Sequence, residues 1–186
     1  MSPSRTAVVA IVGVVPRLRA PPLLPPFHLV LVEPEIPPNT GNAGRLCAAT
    51  GTKLHLVGKL GFKIDDHAVR RAGLDYWHLV ELSTHLDFPH FMHAFRVASP
   101  NGKLHLFTAH AATSYLAADF APGDALVFGK ESVGLAPELV ERYKDRTVAS
   151  PTLGAVRSLN LANAASIAIY EALRSVGALG NPVLGE

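Results

Sequence analysis

The chain has 186 residues, of which 48% are hydrophobic and 17% charged, and this balance fits one folded domain with a substantial core. Its formal charge of +2 is compatible with a polyanionic partner, but many proteins of similar charge bind no nucleic acid. The single cysteine, Cys47, excludes an intrachain disulfide and favours a reducing compartment. We therefore expect a cytoplasmic protein.

The first 26 residues differ in composition from the rest of the chain. The apolar run Ala7–Val15 has nine residues, whereas a membrane-spanning helix needs about 20, so we expect no membrane span. The run resembles part of a signal peptide, but no small-residue cleavage site follows it. Five prolines between positions 16 and 26 exclude a regular helix or a central strand. We predict a flexible proline-rich extension over residues 1–26 and one domain over residues 27–186.

From Phe27 onward, short apolar segments alternate with segments of helical periodicity. This alternation is typical of an α/β domain with a mostly parallel sheet and helices on both faces. The predicted strands are Phe27–Val32, Lys53–Val57, His78–Leu82, Leu104–Thr108, Asp124–Phe128 and Arg146–Ala149. The predicted helices are Gly41–Thr50, Asp66–Ala72, Asp87–Val97, Ala136–Tyr143 and Ser158–Val176.

The last predicted helix has the clearest pattern. Its apolar residues recur every three or four positions, and Gly177 is placed to end it. The small side chains along this face would let another helix approach closely, either in a dimer or within one chain. The residues of this face are Leu161, Ala165, Ala168, Ala172 and Val176.

Polar and glycine residues cluster in three loops that each follow a predicted strand, where α/β sheets bind ligands. In the first, EPEIPPNTGNAGRLCAATG (33–51), prolines precede Asn39 and the predicted helix start. A helix N-terminus offers free amides to an anion, and Arg45 could add a guanidinium that suits a phosphate. A capped helix with a surface arginine explains the same residues equally well.

Nucleotide-binding motifs are absent from this first loop. Asn39 stands where a dinucleotide fingerprint needs its first glycine, and no Walker A pattern occurs anywhere in the chain. No G-x-S-x-G elbow is present to support a hydrolase triad.

The second loop, LVFGKESVGLAPEL (126–139), runs from a strand into Gly129 and Glu131. A glycine at a strand end allows a ligand to approach the backbone, and Glu131 could orient a hydroxyl or a cation, although a surface turn is the simpler interpretation. The third loop, SPTLGAVRSLNLANAAS (150–166), contains Ser158, a suitable helix N-cap, and Asn160.

The nine histidines include His85, His90 and His93, whose spacing partly resembles a set of metal ligands. No cysteine or carboxylate completes the set, so we expect a solvated surface there and no metal site.

Taken together, the three loops resemble the three signature motifs of the SPOUT superfamily of RNA methyltransferases. More narrowly, they are similar to the tRNA (cytidine/uridine-34) 2′-O-methyltransferase family. The resemblance covers about Phe27 to Gly180, and it rests on four segments in the family's order and spacing. These are EPEIPPNTGNAGRLCAATG, RRAGLDYW (70–77), VFGKESVGL (127–135) and RSLNLANAASIAIYEALR (157–174).

The resemblance implies a set of catalytic-site residues. Asn39 and Arg45 fall on the asparagine and arginine of the first motif, and Glu131 falls on the glutamate of the second. Ser158 and Asn160 fall on the serine and asparagine of the third.

The cofactor contacts implied by the resemblance come from the ends of three loops. They correspond here to Ala109, Gly129, Ser150 and Ser158. Ala109 and Ser150 depart from the larger apolar residues that the family often has there, so only backbone contacts are expected from these two.

The implied reaction moves a methyl group from S-adenosylmethionine to the 2′-oxygen of the wobble ribose and releases S-adenosylhomocysteine. The resemblance also implies a deep C-terminal trefoil knot, a homodimer and a leucine tRNA as substrate. The pattern of elements alone would have predicted an unknotted sheet. Basic residues expected to hold RNA are Lys59, Lys63, Arg70, Arg71 and Arg142.

Two alternatives remain open at this point. One is a SPOUT enzyme that methylates another ribose in tRNA or ribosomal RNA. The other is a module that binds RNA or adenosylmethionine without turnover, which the intact motif residues disfavour.

Overall fold

Six parallel strands form the central sheet of the computed structural model, which describes residues 16–62 and 76–185. The order of strands across this sheet is β4-β3-β2-β6-β5-β7, and β1 pairs with β8 in a separate antiparallel ribbon. In chain order the strands are β1 (Arg17–Arg19), β2 (His28–Val32), β3 (Lys53–Val57), β4 (Leu82–His85), β5 (Leu104–Phe107), β6 (Ala125–Phe128), β7 (Thr147–Val148) and β8 (Val183–Gly185).

Helices cover both faces of the sheet, as the sequence predicts. They are α1 (Pro37–Thr50), α2 (Phe88–Ala98), α3 (Pro137–Arg142) and α4 (Leu161–Ser175). On β2, Leu29 and Leu31 join the core beneath α1 and α4, while Val30 joins the core beneath α2 and α3. This alternation follows from the two-residue period of a strand buried on both sides. Within the described ranges, no helix is long and apolar enough to span a bilayer.

The predicted strand His78–Leu82 is wrong in its position. Residues Trp77–Leu79 form a 3₁₀ turn instead, and β4 begins at Leu82. The pattern failed because β4 is an edge strand that carries exposed Ser83 and Thr84, so its residues do not form an apolar run. The other five predicted strands agree with the structure to within two residues at either end.

Two helix starts differ from those predicted by more than one residue. Helix α1 begins at Pro37 rather than Gly41, because two prolines occupy its first turn, where their missing N–H groups cost nothing. Helix α4 begins at Leu161 rather than Ser158, and its N-cap is Asn160 and not Ser158. Gly177 follows the end of α4 with a φ of 73°, the left-handed conformation that glycine adopts readily.

The small-residue face of α4 packs inside the protomer. Ala165, Ala168 and Ala172 are fully buried against α1 and the sheet. Of the two uses that the sequence allowed for this face, intrachain packing is therefore the one observed. A dimer would have to use another surface.

The ends of the described chain lie side by side. In the proline-rich segment, Arg17–Arg19 pairs with Val183–Gly185. The ribbon is separate from the central sheet, which agrees with the expectation that the prolines exclude a central strand. The predicted helix Asp66–Ala72 lies outside the described residues, as do Lys63, Arg70 and Arg71.

Three buried histidines cross the sheet diagonally beneath α2. His28 Nδ1 lies 2.8 Å from His55 Nε2, and His55 Nδ1 lies 2.9 Å from His85 Nε2. Ser99 Oγ, 3.1 Å from His28 Nε2, ends the chain of contacts on one side. Burial, reinforced by the charge of Lys53, lowers the pKa of His28 to about 4, and burial beside two other imidazoles lowers that of His55 to about 3. The histidines are therefore neutral in the folded protein at neutral pH.

Candidate functional site

A cavity of about 320 Å³ opens at the carboxyl ends of β5 and β6. Its apolar wall includes Phe107 and Phe128, whose rings stack at 4.4 Å and 15°. The polar wall comes from three segments, which are residues 108–110, 129–134 and 150–160. The volume lies within the range of small-molecule sites, and the position is the one expected for a ligand of a parallel sheet.

Glu131 joins the second loop to the first. Its carboxylate accepts hydrogen bonds from the backbone N–H of Glu35 at 2.8 Å and of Ile36 at 3.2 Å, and from the Asn39 side-chain amide at 2.8 Å. Partial burial opposes ionisation of Glu131, but the Asn39 and backbone hydrogen bonds outweigh it and lower its pKa. Glu131 is therefore a charged structural acceptor in this arrangement.

Asn39 and Asn160 extend this network to the third loop. The Asn160 side-chain amide donates to Asn39 Oδ1 at 2.9 Å, and Asn160 Oδ1 accepts from the N–H groups of Ala162 and Asn163 at the start of α4. Asn39 is only 5% exposed, so its amide is committed to these two partners. Three loops that are distant in sequence are thus tied by one chain of side chains, Glu131–Asn39–Asn160.

Gly129 stands where the second loop turns back on itself. A Cβ at this position would lie 2.1 Å from the carbonyl carbon of Gly134. Lys130 and Gly134 exchange backbone hydrogen bonds of 3.1 and 2.9 Å, which close the loop over the cavity. Only glycine fits at position 129 while the loop keeps this shape.

All four predicted cofactor-contact residues line the cavity. Gly129, Ala109 and Ser150 lie at the ends of strands or just after them, and exposed Ser158 lies in the segment before α4. Asn39, Glu131 and Asn160 also line it. The structure therefore brings together seven of the eight residues that the resemblance selected.

Arg45 is the exception. It is exposed on α1, six residues beyond Asn39, and it is not among the residues that line the cavity. Its guanidinium carbon lies over the ring of Tyr76, 4.5 Å from the centroid. The protomer thus places Arg45 beside the 3₁₀ turn and not against the cofactor cavity.

Sequence reasoning missed several residues that shape the site. Glu35 adds a second link between the first and second loops. Its carboxylate accepts a hydrogen bond from the Ser132 N–H, and its own backbone N–H donates one to Glu131. Lys130 pairs with Glu33 at 2.7 Å, and Glu33 has a φ of 50°, unusual for a residue with a side chain. Glu33 and Glu35 could have been selected from the sequence, because charged residues beside a proline at the end of a strand lie in a surface loop, where functional residues are frequent.

The expected solvated surface at the three spaced histidines is correct for His90 and His93, which are exposed on α2, but wrong for His85. His85 ends β4 and is buried under α2, because its ring contacts His55 in the row of buried histidines. Across residues 16–62 and 76–185, no three or more His, Cys, Asp or Glu side chains are grouped so that they could hold a metal ion.

Residues 26–170 match the SpoU rRNA Methylase family. The chain belongs to this family. Two curated relatives named tRNA (cytidine(34)-2′-O)-methyltransferase are similar to it over most of its length. The protein from Burkholderia pseudomallei is 45% identical over 152 residues, 81% of this chain and 96% of that protein. The protein from Aeromonas hydrophila is 44% identical over 156 residues, 83% of this chain and 97% of that protein.

Two solved structures are similar to this chain over most of its length. A structure described as giving insight into the 2-OH methylation of C/U34 on tRNA has a TM-score of 0.74 and 44% identity, and the match covers 81% of this chain and 95% of that one. The SpoU methyltransferase AviRb from Streptomyces viridochromogenes, in complex with the cofactor AdoMet, has a TM-score of 0.69 and 26% identity. That match covers 85% of this chain and 62% of AviRb.

Proposed function

We propose that this SpoU-family enzyme is a tRNA (cytidine(34)-2′-O)-methyltransferase that uses S-adenosylmethionine. The observation that carries the proposal is the identity of 43–46% with enzymes of that name, which extends over at least 80% of this chain and more than 90% of theirs. Three of the residues that match the family's motifs form the Glu131–Asn39–Asn160 chain at the cavity, which supports the proposal.

The cavity fits the proposed cofactor in both size and chemistry. An adenine ring suits the apolar wall that Phe107 and Phe128 provide, and the polar ends of the molecule suit the backbone and hydroxyl groups of the three loops. Gly129, Ala109, Ser150 and Ser158 would hold the cofactor through these groups. When bound, S-adenosylmethionine supplies an electrophilic methyl group on a sulfonium.

The protein's own contribution is chiefly positional. The Glu131–Asn39–Asn160 chain fixes the three loops relative to one another, so the cofactor and the ribose can be held without rearrangement when RNA binds. The hydroxyl of Ser158 is exposed at the cavity and can accept or donate a hydrogen bond to the bound molecules.

Arg45 is proposed to anchor an RNA phosphate beside the reacting ribose. A guanidinium is a poor base but a strong bidentate partner for phosphate. The proton of the 2′-hydroxyl can then pass to the phosphate or to water. The exposure of Arg45 supports a role toward RNA.

A homodimer is the proposed assembly. Since Arg45 does not line the cavity of its own protomer, a second copy could complete the site. The outer face of α4 exposes 42% of Ile167 and 50% of Tyr170, which gives a dimer an apolar surface. The trefoil knot, the leucine tRNA substrate and a cytoplasmic location are also proposed, from the resemblance.

A methyl-transfer assay with labelled S-adenosylmethionine tests the function. The substrates are leucine tRNA transcripts with cytidine or uridine at position 34, and the control carries a 2′-deoxy nucleotide there. Transfer to the first two and not to the control is expected. The modified linkage should also resist alkaline cleavage, because its internal nucleophile is blocked.

The variant Arg45→Ala should lose transfer but keep cofactor affinity measured by calorimetry. Transfer to ribosomal RNA alone, or methylation of the deoxy control, would contradict the proposed substrate. Cofactor binding without transfer to any RNA would favour a non-catalytic module.

A further inference from the structure

The side chain of Arg45 is held on the surface of α1 by an aromatic ring. Its guanidinium carbon lies 4.5 Å from the centroid of the Tyr76 ring, within the distance of a cation–π contact. The Tyr76 hydroxyl donates a hydrogen bond of 2.8 Å to the carbonyl oxygen of Gly41, one turn earlier on the same helix. The ring is thereby fixed at its far end while its face meets Arg45.

Trp77 also attaches the same turn to α1. A Cβ built on Gly44 would lie 2.5 Å from the Trp77 ring, so the indole occupies the space that a side chain at position 44 would fill. Tyr76 and Trp77 therefore dock on α1 at three successive points, the Gly41 carbonyl, Gly44 and the Arg45 side chain. The docking explains why α1 carries glycine at position 44, in the middle of a helix, where glycine is otherwise unfavourable.

We propose that Tyr76 is a positioning residue that holds the guanidinium of Arg45 ready for RNA. An arginine that rests one face of its guanidinium on a ring keeps its in-plane N–H donors free, and these are the donors that a phosphate or a ribose oxygen accepts from. An exposed arginine otherwise samples many rotamers and loses that freedom when it binds. The ring reduces this loss before RNA arrives.

This inference rests on the proposed function in one respect, the role of Arg45 toward RNA. The contact itself is independent of that role. The test therefore has one arm that needs no activity and one arm that measures RNA.

The first arm measures the contact in solution by NMR. Protons of the Arg45 side chain that lie over an aromatic ring are shifted upfield by the ring current. The shift should persist in Tyr76→Phe, which keeps the ring, and disappear in Tyr76→Leu. Arg45 side-chain shifts that are equal in the wild type and Tyr76→Leu would overturn the proposal whatever the enzyme's substrate.

The second arm measures affinity for an anticodon stem-loop and steady-state transfer to it. Tyr76→Leu should lower kcat/KM for RNA by roughly two- to fivefold, the range of an exposed cation–π contact, and leave KM for the cofactor unchanged. Tyr76→Phe should remain close to the wild type. In an Arg45→Ala background, Tyr76→Leu should cause no further loss of affinity, because the two residues act as one unit.

Two controls separate positioning from folding. Leu79→Ala changes an exposed apolar residue of the same turn and should leave all readouts unchanged. Trp77 is the only tryptophan of the chain, so its fluorescence reports whether the turn stays docked on Gly44. A red shift in Tyr76→Leu together with equal losses in Tyr76→Phe would assign Tyr76 a purely structural role and overturn the proposal. Independent, additive losses from Tyr76→Leu and Arg45→Ala would do so as well.

Discussion

The buried histidines predict that the folded protein loses stability steeply in mild acid. The folded pKa values of His28 and His55 are lowered to about 4 and about 3, whereas the unfolded chain takes up these protons near the ordinary value of 6.5. The unfolded state therefore binds more protons as the pH falls below 6.5, and acid favours it. The stability is fully present above that pH and is lost progressively as the pH falls toward the folded pKa values.

The size of the loss follows from the shifts. At about pH 5, each of these two histidines favours the unfolded state by about 2 kcal/mol relative to pH 8, which gives about 4 kcal/mol for the pair. Burial, assisted by neighbouring His90, lowers the pKa of His85 as well and adds to the loss in the same direction. This loss is a large fraction of the free energy of unfolding of a typical domain, which is about 5–15 kcal/mol.

Urea unfolding followed by circular dichroism at about pH 8 and about pH 5 measures the difference. The variant His55→Leu should be less stable than the wild type at the higher pH, because it leaves His28 and His85 without their partner. Its loss between the two pH values should be about half that of the wild type. The control His93→Gln, an exposed residue on α2, should keep the full loss. A wild-type loss below about 1 kcal/mol, or an undiminished loss in His55→Leu, would refute the reasoning.

Three further predictions concern the site. Glu131→Gln removes the charge from an acceptor of three N–H groups, so it should lower the melting temperature by a few degrees and weaken cofactor binding. Scanning fluorimetry and calorimetry measure the two effects, and unchanged values would show that Glu131 does not hold the loops together. Gly129→Ala should weaken cofactor binding at least about tenfold, because the added Cβ collides with the backbone of Gly134. The control Gly154→Ala should bind the cofactor normally, since a Cβ there meets nothing within 4 Å, and equal affinities of the two variants would contradict the prediction. Asn160→Asp keeps the oxygen that caps α4 but loses the donor to Asn39, so it should retain helix stability better than Asn160→Ala while both lose activity; full activity in Asn160→Asp would show that the link is dispensable.

The sequence predicts most of the fold because its strands are buried on both faces. Runs such as Leu29–Val32 and Leu54–Val57 contain almost nothing but apolar residues, which is the pattern of a parallel sheet covered by helices. The edge strand β4 has no such run, and its position was mispredicted for that reason. The start of α1 was also missed, since prolines are compatible with the first turn of a helix as well as with a loop.

The sequence identified residues of the candidate site but not the hydrogen bonds between them. The motif resemblance selected Asn39, Glu131 and Asn160. Nothing in their spacing reveals that the Asn39 amide donates to the Glu131 carboxylate or that the Asn160 amide donates to Asn39. These contacts join residues 92 and 121 positions apart, a separation at which local pattern carries no information. Likewise, helical periodicity identified the small-residue face of α4 but could not decide whether α1 or another subunit covers it.

The exposed position of Arg45 separates the proposed RNA contact from the proposed cofactor cavity. Glu131, Asn39 and Asn160 are fixed to one another at the cavity by partly buried hydrogen bonds, whereas Arg45 is exposed and its guanidinium lies over the ring of Tyr76. A rigid cavity suits a small molecule that binds in one pose, because preorganised groups lose little entropy on binding. A polynucleotide must instead be met on the surface, where a strongly fixed and desolvated cation would be costly to maintain. A guanidinium that lies on the half-buried ring of Tyr76 meets both requirements, because its N–H edges stay in water while the ring restricts the direction of the side chain. On this reasoning, cofactor affinity should depend on the Glu131–Asn39–Asn160 chain and RNA affinity on the Arg45–Tyr76 contact, and the two can be altered separately.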